Sequence, residues 1–286
     1  MKRLLITGAT GNQGGAAARR ALARGQDVRV AGTRVDVLRE RFTGAEVARL
    51  DLCDPSTFAL ACEGVDGVFL IRPPKIAKVG PTLNAFIDEA ARAGVQHFVF
   101  SSVAGAERMK HIPHHKVERH LIEGSLPWTI LRPGFFAQNF ADAYRLDIVE
   151  DDRVYVPAAD GCAAFIDTRD VGELAAQILA EPEGHARKAY WLTGPESLSF
   201  AQAATILTQE LGREVRYERA SALGYVRHLR KRHRLGWMQT VIQTGLHLGL
   251  RRGDAEAVSP QLAELLGRGP RSLRDFVRDH RERWMR

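Results

Sequence analysis

Cysteine, lysine and long apolar runs are all in short supply. The chain has three cysteines, Cys53, Cys62 and Cys162, among 286 residues. That number is odd, and the three are widely spread with no paired spacing. The pattern excludes a disulfide scaffold, and it suggests a reducing compartment and no zinc site. Nowhere do about 18 apolar residues follow one another, so no stretch reads as a membrane span. The opening Met1-Lys2-Arg3-Leu4-Leu5-Ile6 is basic and then apolar, but the run stops at Thr7-Gly8, too short for a secretory leader. A cytoplasmic protein without a membrane partner is expected.

What is there is ordinary for a globular chain. Hydrophobic residues make up 45% and charged residues 26%, which excludes disordered and collagen-like classes. A mass of 31.7 kDa allows one large domain or two small ones. The net charge of +7 and the isoelectric point of about 9.6 invite a nucleic-acid reading. The excess is local: residues 213–286 hold 17 Lys/Arg against 8 Asp/Glu, whereas residues 1–212 hold 24 against 26. It is densest over 225–234, in Tyr-Val-Arg-His-Leu-Arg-Lys-Arg-His-Arg. Arginine outnumbers lysine 34 to 7 along the whole chain, so part of the excess is compositional habit. A basic cluster with few interleaved aromatics reads as a solvated helix face, and no nucleic-acid partner is expected.

Residues 1–133 alternate between short apolar runs and segments of helical period. The runs Leu4–Thr7, Val28–Ala31, Val47–Leu50, Val68–Ile71, His97–Ser101 and Trp128–Leu131 read as strands. Between them, Asp54-Pro55 is a helix start. Leu83, Phe86, Ile87 and Ala90 form one apolar stripe closed by Gly94; Val117, Leu121 and Ile122 form another closed by Gly124. This rhythm predicts an α/β fold, a doubly wound parallel sheet with helices on both faces. After Pro133 the rhythm breaks, and 134–163 shows no alternation. Asp170–Ala180 reads as a helix and Ala189–Thr193 as a strand, so 165–194 is expected to return to the first domain. Ser199-Phe200-Ala201-Gln202 is a capping box for a helix ending at Gly212, and further helices start at Ser259-Pro260 and Ser272. Residues 134–286 are therefore expected to form a smaller, mostly helical C-terminal domain.

The most informative segment is Thr7-Gly8-Ala9-Thr10-Gly11-Asn12-Gln13-Gly14-Gly15, directly after the first strand and opening the first helix. Gly8 suits a tight turn, Gly11 a close backbone approach to a pyrophosphate, and Gly14 tight helix–strand packing. The helix N-terminus adds unpaired N–H groups and a positive dipole end. A dinucleotide site with Gly8, Thr10, Gly11, Asn12, Gln13 and Gly14 as contacts follows. The end of the second strand selects the cofactor. It runs Val28-Arg29-Val30-Ala31-Gly32-Thr33-Arg34 with no acid before Asp36, so Arg34, helped by Thr33, is expected to clamp a 2′-phosphate. NADP(H) is expected over NAD(H). Asp51 and Leu52 are placed to meet the adenine, although Asp51 could equally cap the loop before Asp54.

The glycine pattern resembles the atypical short-chain dehydrogenases/reductases, and further segments are similar to their NmrA-like branch. These are Val68-Phe69-Leu70-Ile71-Arg72-Pro73-Pro74, the run Gln96–Ser102, Leu126-Pro127-Trp128-Thr129-Ile130-Leu131-Arg132-Pro133-Gly134-Phe135-Phe136, Asn139-Phe140, Ile166–Val171 and Leu273–His280. The resemblance spans nearly the whole chain and is weakest over 221–257. It implies a Rossmann domain with a small C-terminal domain and a substrate cleft. It also implies either an NADPH-dependent reductase of quinones, dyes or isoflavonoid-like molecules, or a redox sensor that regulates a protein partner. Cofactor contacts carried over on the matching segments are Ile71, Arg72, Pro73, Ser101, Lys116, Pro133, Gly134, Phe135 and Phe136.

The catalytic pattern of short-chain dehydrogenases is a Ser after the fifth strand and a Tyr-x-x-x-Lys on the next helix. Ser102 and Lys116 match the Ser and the Lys, and Ile112 stands where the Tyr belongs. Isoleucine carries no proton, which disfavours ordinary alcohol/ketone interconversion. A lysine cation near the nicotinamide suits acceptors such as quinones, whose reduced anion water can protonate. His114 or His115 offers another proton source. His111 and His115 are four apart, but no acid or cysteine completes a metal set, and none is expected. Phe136 and Asn139, after the sixth strand, are candidate substrate contacts. Phe135 and Phe136 fit equally an apolar wall beside the nicotinamide or interdomain core. The stretch Leu223–Leu250 reads as a lid with a basic face. The expected activity is reduction of a quinone-like or conjugated small molecule by hydride transfer, in a monomer or homodimer; the alternative is a non-catalytic NADPH/NADP+ sensor.

Overall fold

Short runs of Leu, Ile, Val and Phe, apolar on both faces, make strands that can be buried only between two layers of helices. In the computed structural model, which describes residues 2–285, seven strands form one sheet, the inner five largely buried and the two edge strands more exposed. They are β1 (Arg3–Thr7), β2 (Asp27–Gly32), β3 (Glu46–Arg49), β4 (Gly67–Ile71), β5 (His97–Ser101), β6 (Trp128–Pro133) and β9 (Lys188–Leu192). The order is β3-β2-β1-β4-β5-β6-β9, and every pairing is parallel. From β1 the chain winds first to one side and then, from β4 on, to the other. The switch point therefore lies between β1 and β4, where Leu5 pairs with Val68. The helices that return the chain are α1 (Asn12–Ala23), α2 (Val35–Arg41), α3 (Phe58–Cys62), α4 (Ala85–Arg92), α5 (Pro113–Glu123) and α7 (Thr168–Ala180).

The chain divides into two compact units: Met1–Pro133 with Thr168–Leu192 and Glu264–Gly267, and Gly134–Asp167 with Thr193–Ala263 and Arg268–Arg286. The core of the first contains Phe58, Phe86 and Phe98, packed edge to face. The helix start at Asp54 is a 3-10 turn, Pro55–Thr57, capped by the Asp54 side chain before α3 begins. Leu83 lies in a π-helical turn, Gly80–Asn84, ahead of α4.

The second unit holds α6 (Arg145–Asp151), β7 (Arg153–Val156), β8 (Cys162–Ala163), β10 (Leu198–Ser199), α8 (Phe200–Leu211) and β11 (Arg216–Arg219). It continues with α9 (Ala222–Lys231), α10 (Trp237–Leu250) and α12 (Leu273–Asp279), while α11 (Gln261–Leu266) spans the division. Residues 134–163 are thus more regular than their sequence suggests. Their elements are too short to show a period, and β7 exists as a strand by pairing in parallel with the distant β11. The two capping boxes are present, Ser199 with Gln202 and Ser272 with Asp275. The core contains Phe140, Tyr144, Phe165, Phe200 and Trp284, and the Trp284 indole N–H donates to the Phe140 carbonyl at 3.0 Å. The stretch 223–250 divides its character: the basic residues lie on α9 and just after it, while α10 exposes Trp237, Met238, Val241, Ile242 and Leu246. Among the described residues, no helix is long and apolar enough to cross a membrane.

Candidate active site

The turn after β1 is built by glycines that tolerate no substitute. Gly8 has φ +63°, in the left-handed region, and its carbonyl accepts from the Gly11 N–H at 2.9 Å. A Cβ on Gly14 would lie 2.5 Å from the Gly8 and Thr7 backbone, so the first turn of α1 sits directly on the end of β1. Gly11 is the N-cap of α1, extended and without a side-chain cap. The Thr7 hydroxyl donates to the Phe69 carbonyl at 3.0 Å and accepts from the Ile71 N–H at 2.9 Å, tying β1 to β4 at the switch point. The result is a helix N-terminus whose cap residue offers no side chain to its N–H groups, the geometry that receives phosphate.

At the end of β2, Thr33 and Arg34 are both exposed, and Arg34 forms no ion pair among the described residues. Asp36, the nearest acid, pairs with Arg39 at 3.5 Å. A second cation sits beside the glycine turn: the Arg41 guanidinium donates to the Thr10 carbonyl at 3.3 Å. Sequence reading passes over Arg41, although it lies seven residues from Arg34 and so about two helical turns on. Asp51 Oδ1 accepts from the Cys53 N–H at 2.9 Å, so this carboxylate does cap its own loop. Leu52 is buried in the core of the first unit.

Past β4, Arg72 is spent on its own loop. It donates to the carbonyls of Pro73 and Pro74 and, at 2.7 Å, of Ile76, and its Nε donates to His114 Nε2 at 3.2 Å. Burial, reinforced by the Arg72 charge, lowers the His114 pKa to about 4. Its imidazole is therefore neutral and accepting near neutral pH, which removes it as a substitute proton donor. His115 Nδ1 donates to the Ala106 carbonyl at 2.9 Å.

Ser101 ends β5 and Ser102 follows it, and both are buried. Ser101 donates to Gln13 Oε1, linking β5 to the first turn of α1. Ser102, expected as a catalytic hydroxyl, has another task. It donates to Glu118 Oε1 at 2.5 Å, and Arg132 holds the same carboxylate in a bidentate pair at 3.1 and 2.7 Å. With Glu118 only 1% exposed, this is an interior network joining Ser102, α5 and β6, which engages the hydroxyl expected to be catalytic. Ile112 is the N-cap of α5. Lys116, one turn further, is exposed and forms no ion pair among the described residues.

Pro133 is buried at the end of β6, its carbonyl accepting from the Ala104 N–H at 3.0 Å, and Gly134 opens the second unit. Within that unit Phe135 meets Phe165, Phe200 and His247 edge to face, the packing role that sequence left open. Phe136 bridges to Ile166 and stays half-buried, as does Asn139, whose N–H donates to the Phe136 carbonyl at 3.2 Å.

A parallel, doubly wound sheet with a glycine-lined turn at its switch point defines the Rossmann class of fold. Within that class the NmrA-like family profile matches residues 1–243, and the chain belongs to that family. It is 29% identical over 284 residues to the uncharacterized oxidoreductase YesF of Bacillus subtilis, covering 98% of this chain and 96% of the relative. It is 37% identical over 178 residues to an NAD(P)H azoreductase of Xenophilus azovorans, covering 61% of each. Among solved structures, an NADPH-dependent quinone oxidoreductase of Escherichia coli complexed with NADPH superposes with a TM-score of 0.85 at 23% identity. That match covers 96% of this chain and 98% of the other, and it bears on the fold.

Proposed function

We propose that the chain is an NADP(H)-dependent reductase that acts on a quinone-like or conjugated small molecule. The observation that carries this is the glycine-built, uncapped N-terminus of α1 at the switch point, with Arg34 exposed and without an acidic partner at the end of β2. On this reading the backbone around Gly8, Gly11 and Gly14 receives the pyrophosphate. Arg34, with Thr33 and a second positive charge from Arg41 beside the glycine turn, selects the 2′-phosphate over a free hydroxyl. Bound NADPH would supply the hydride. Lys116 contributes a positive field where negative charge develops on the acceptor. No tyrosine is needed, since the anion of a reduced quinone is stabilised and takes its proton from water. Phe136 and Asn139 are the proposed substrate contacts, in a cytoplasmic protein. The named reductases among its relatives support this reading.

The test is NADPH oxidation across quinones, azo compounds and enones, with cofactor fluorescence recorded in the same samples. Turnover is expected with at least one acceptor class. Lys116→Ala is expected to lower kcat about tenfold or more while NADPH stays bound. Saturable NADPH binding with no turnover of any acceptor would instead favour a sensor that regulates a partner.

A further inference from the structure

Two histidines of the basic run converge on one buried carboxylate. His228 lies in the last turn of α9, His233 two residues beyond its end, and Asp147 on α6. Asp147 Oδ2 is 2.9 Å from His228 Nε2 and 3.2 Å from His233 Nε2, and the two Nε2 atoms are 3.2 Å apart. With the carboxylate ionised, no placement of imidazole protons makes all three edges of this triangle attractive. If both Nε2 atoms are protonated, two N–H groups crowd each other. If either is not, its lone pair faces the carboxylate.

A divalent cation resolves that conflict. Ligands bound to Zn2+ at about 2.0–2.1 Å in tetrahedral array lie about 3.4 Å from one another, close to the observed separations. Two imidazole nitrogens with one carboxylate oxygen suit a borderline ion of the zinc class better than Ca2+ or Mg2+. A second observation points the same way. Asp147 is 2% exposed, yet its Oδ1 makes no hydrogen bond; the nearest cation, Arg232 Nε, stands off at 3.5 Å. The side chains of Asp147, His228 and His233 are 3%, 9% and 14% exposed, so the cluster is enclosed but reachable. Tyr155 packs edge to face on His228 with ring centroids 4.9 Å apart, fixing that imidazole.

We propose that Asp147, His228 and His233 form a site for a zinc-class divalent cation, which staples α9 and the turn leading to α10 onto α6. Sequence reading finds no such set because its two histidines are more than 80 residues from the aspartate. The proposal does not depend on the reductase reading.

The experiment uses the full chain, stripped with a chelator and titrated with Zn2+ by calorimetry, with bound metal counted by elemental analysis. One equivalent is expected, together with a rise in Tm. His228→Ala, His233→Ala and Asp147→Asn are each expected to weaken binding by at least about tenfold, whereas a His111→Ala/His115→Ala variant binds as the wild type does. Should a variant fail to fold, NMR of the wild type decides: substoichiometric Zn2+ is expected to shift the imidazole resonances of His228 and His233 first. No bound equivalent, equal binding by the folded variants, or shifts confined to other histidines would overturn the proposal.

Discussion

The residues whose roles could be read directly are those whose backbone geometry leaves no choice. Gly8 needs the left-handed region and Gly14 has no room for a Cβ, so the glycine spacing alone carries the turn. Roles set by distant partners could not be read that way. The Ser102 hydroxyl is bonded to Glu118, which Arg132 holds in turn, and Asp147 is an unremarked acid until two histidines fold against it. The place of Arg34 just after β2 follows from the strand pattern, while its proposed role rests on a ligand contact. Its removal tests cofactor choice: Arg34→Ala is expected to weaken NADPH binding about tenfold or more, with NADH affinity changing less than about twofold. Equal losses for both cofactors, measured by fluorescence titration, would take the 2′-phosphate away from Arg34.

Elements buried on both faces announce themselves as continuous apolar runs, which is why the central strands are evident without a structure. The 4-residue strands β7 and β11 are not evident. Each has too few residues for a period, and β11 is largely exposed, so pairing rather than composition makes them strands. The Glu118–Arg132 pair ties α5 to β6, with Glu118 1% exposed. Breaking a buried pair from one side costs roughly 3–5 kcal/mol when the other charge is left unmatched; here Arg132 keeps a longer contact with Glu107 at 3.5 Å, which offsets part of that cost. Glu118→Ala is therefore expected to lower the denaturant midpoint strongly, and Ser102→Ala to lower it much less. Near-wild-type stability of Glu118→Ala would show that Glu107 and water satisfy Arg132.

At the scale of the whole molecule, buried neutral histidines set an acid limit. Burial pushes His97 to about 4, with its Nε2–H donating to Thr129 Oγ1 at 2.9 Å, since that hydroxyl itself donates to the His185 carbonyl. Burial likewise pushes His247 to about 4. Its Nδ1–H is held by the Gln243 carbonyl at 2.7 Å, so Nε2 accepts from the Tyr144 hydroxyl at 2.5 Å. Both groups bind protons more readily unfolded than folded. Their contribution to stability is complete above about pH 6.5, falls as pH drops toward 4, and falls no further below that. It amounts to roughly 3 kcal/mol for each histidine. A Tm that is flat between pH 7 and pH 4 would contradict this. The central claim, that this NmrA-like chain holds NADPH for direct hydride transfer, is tested most directly by its oxidation with deuterium at either face of nicotinamide C4. A primary kinetic isotope effect from one face, in the presence of a conjugated acceptor, is the expected result; NADPH bound tightly but never oxidised, whatever the acceptor, would contradict it.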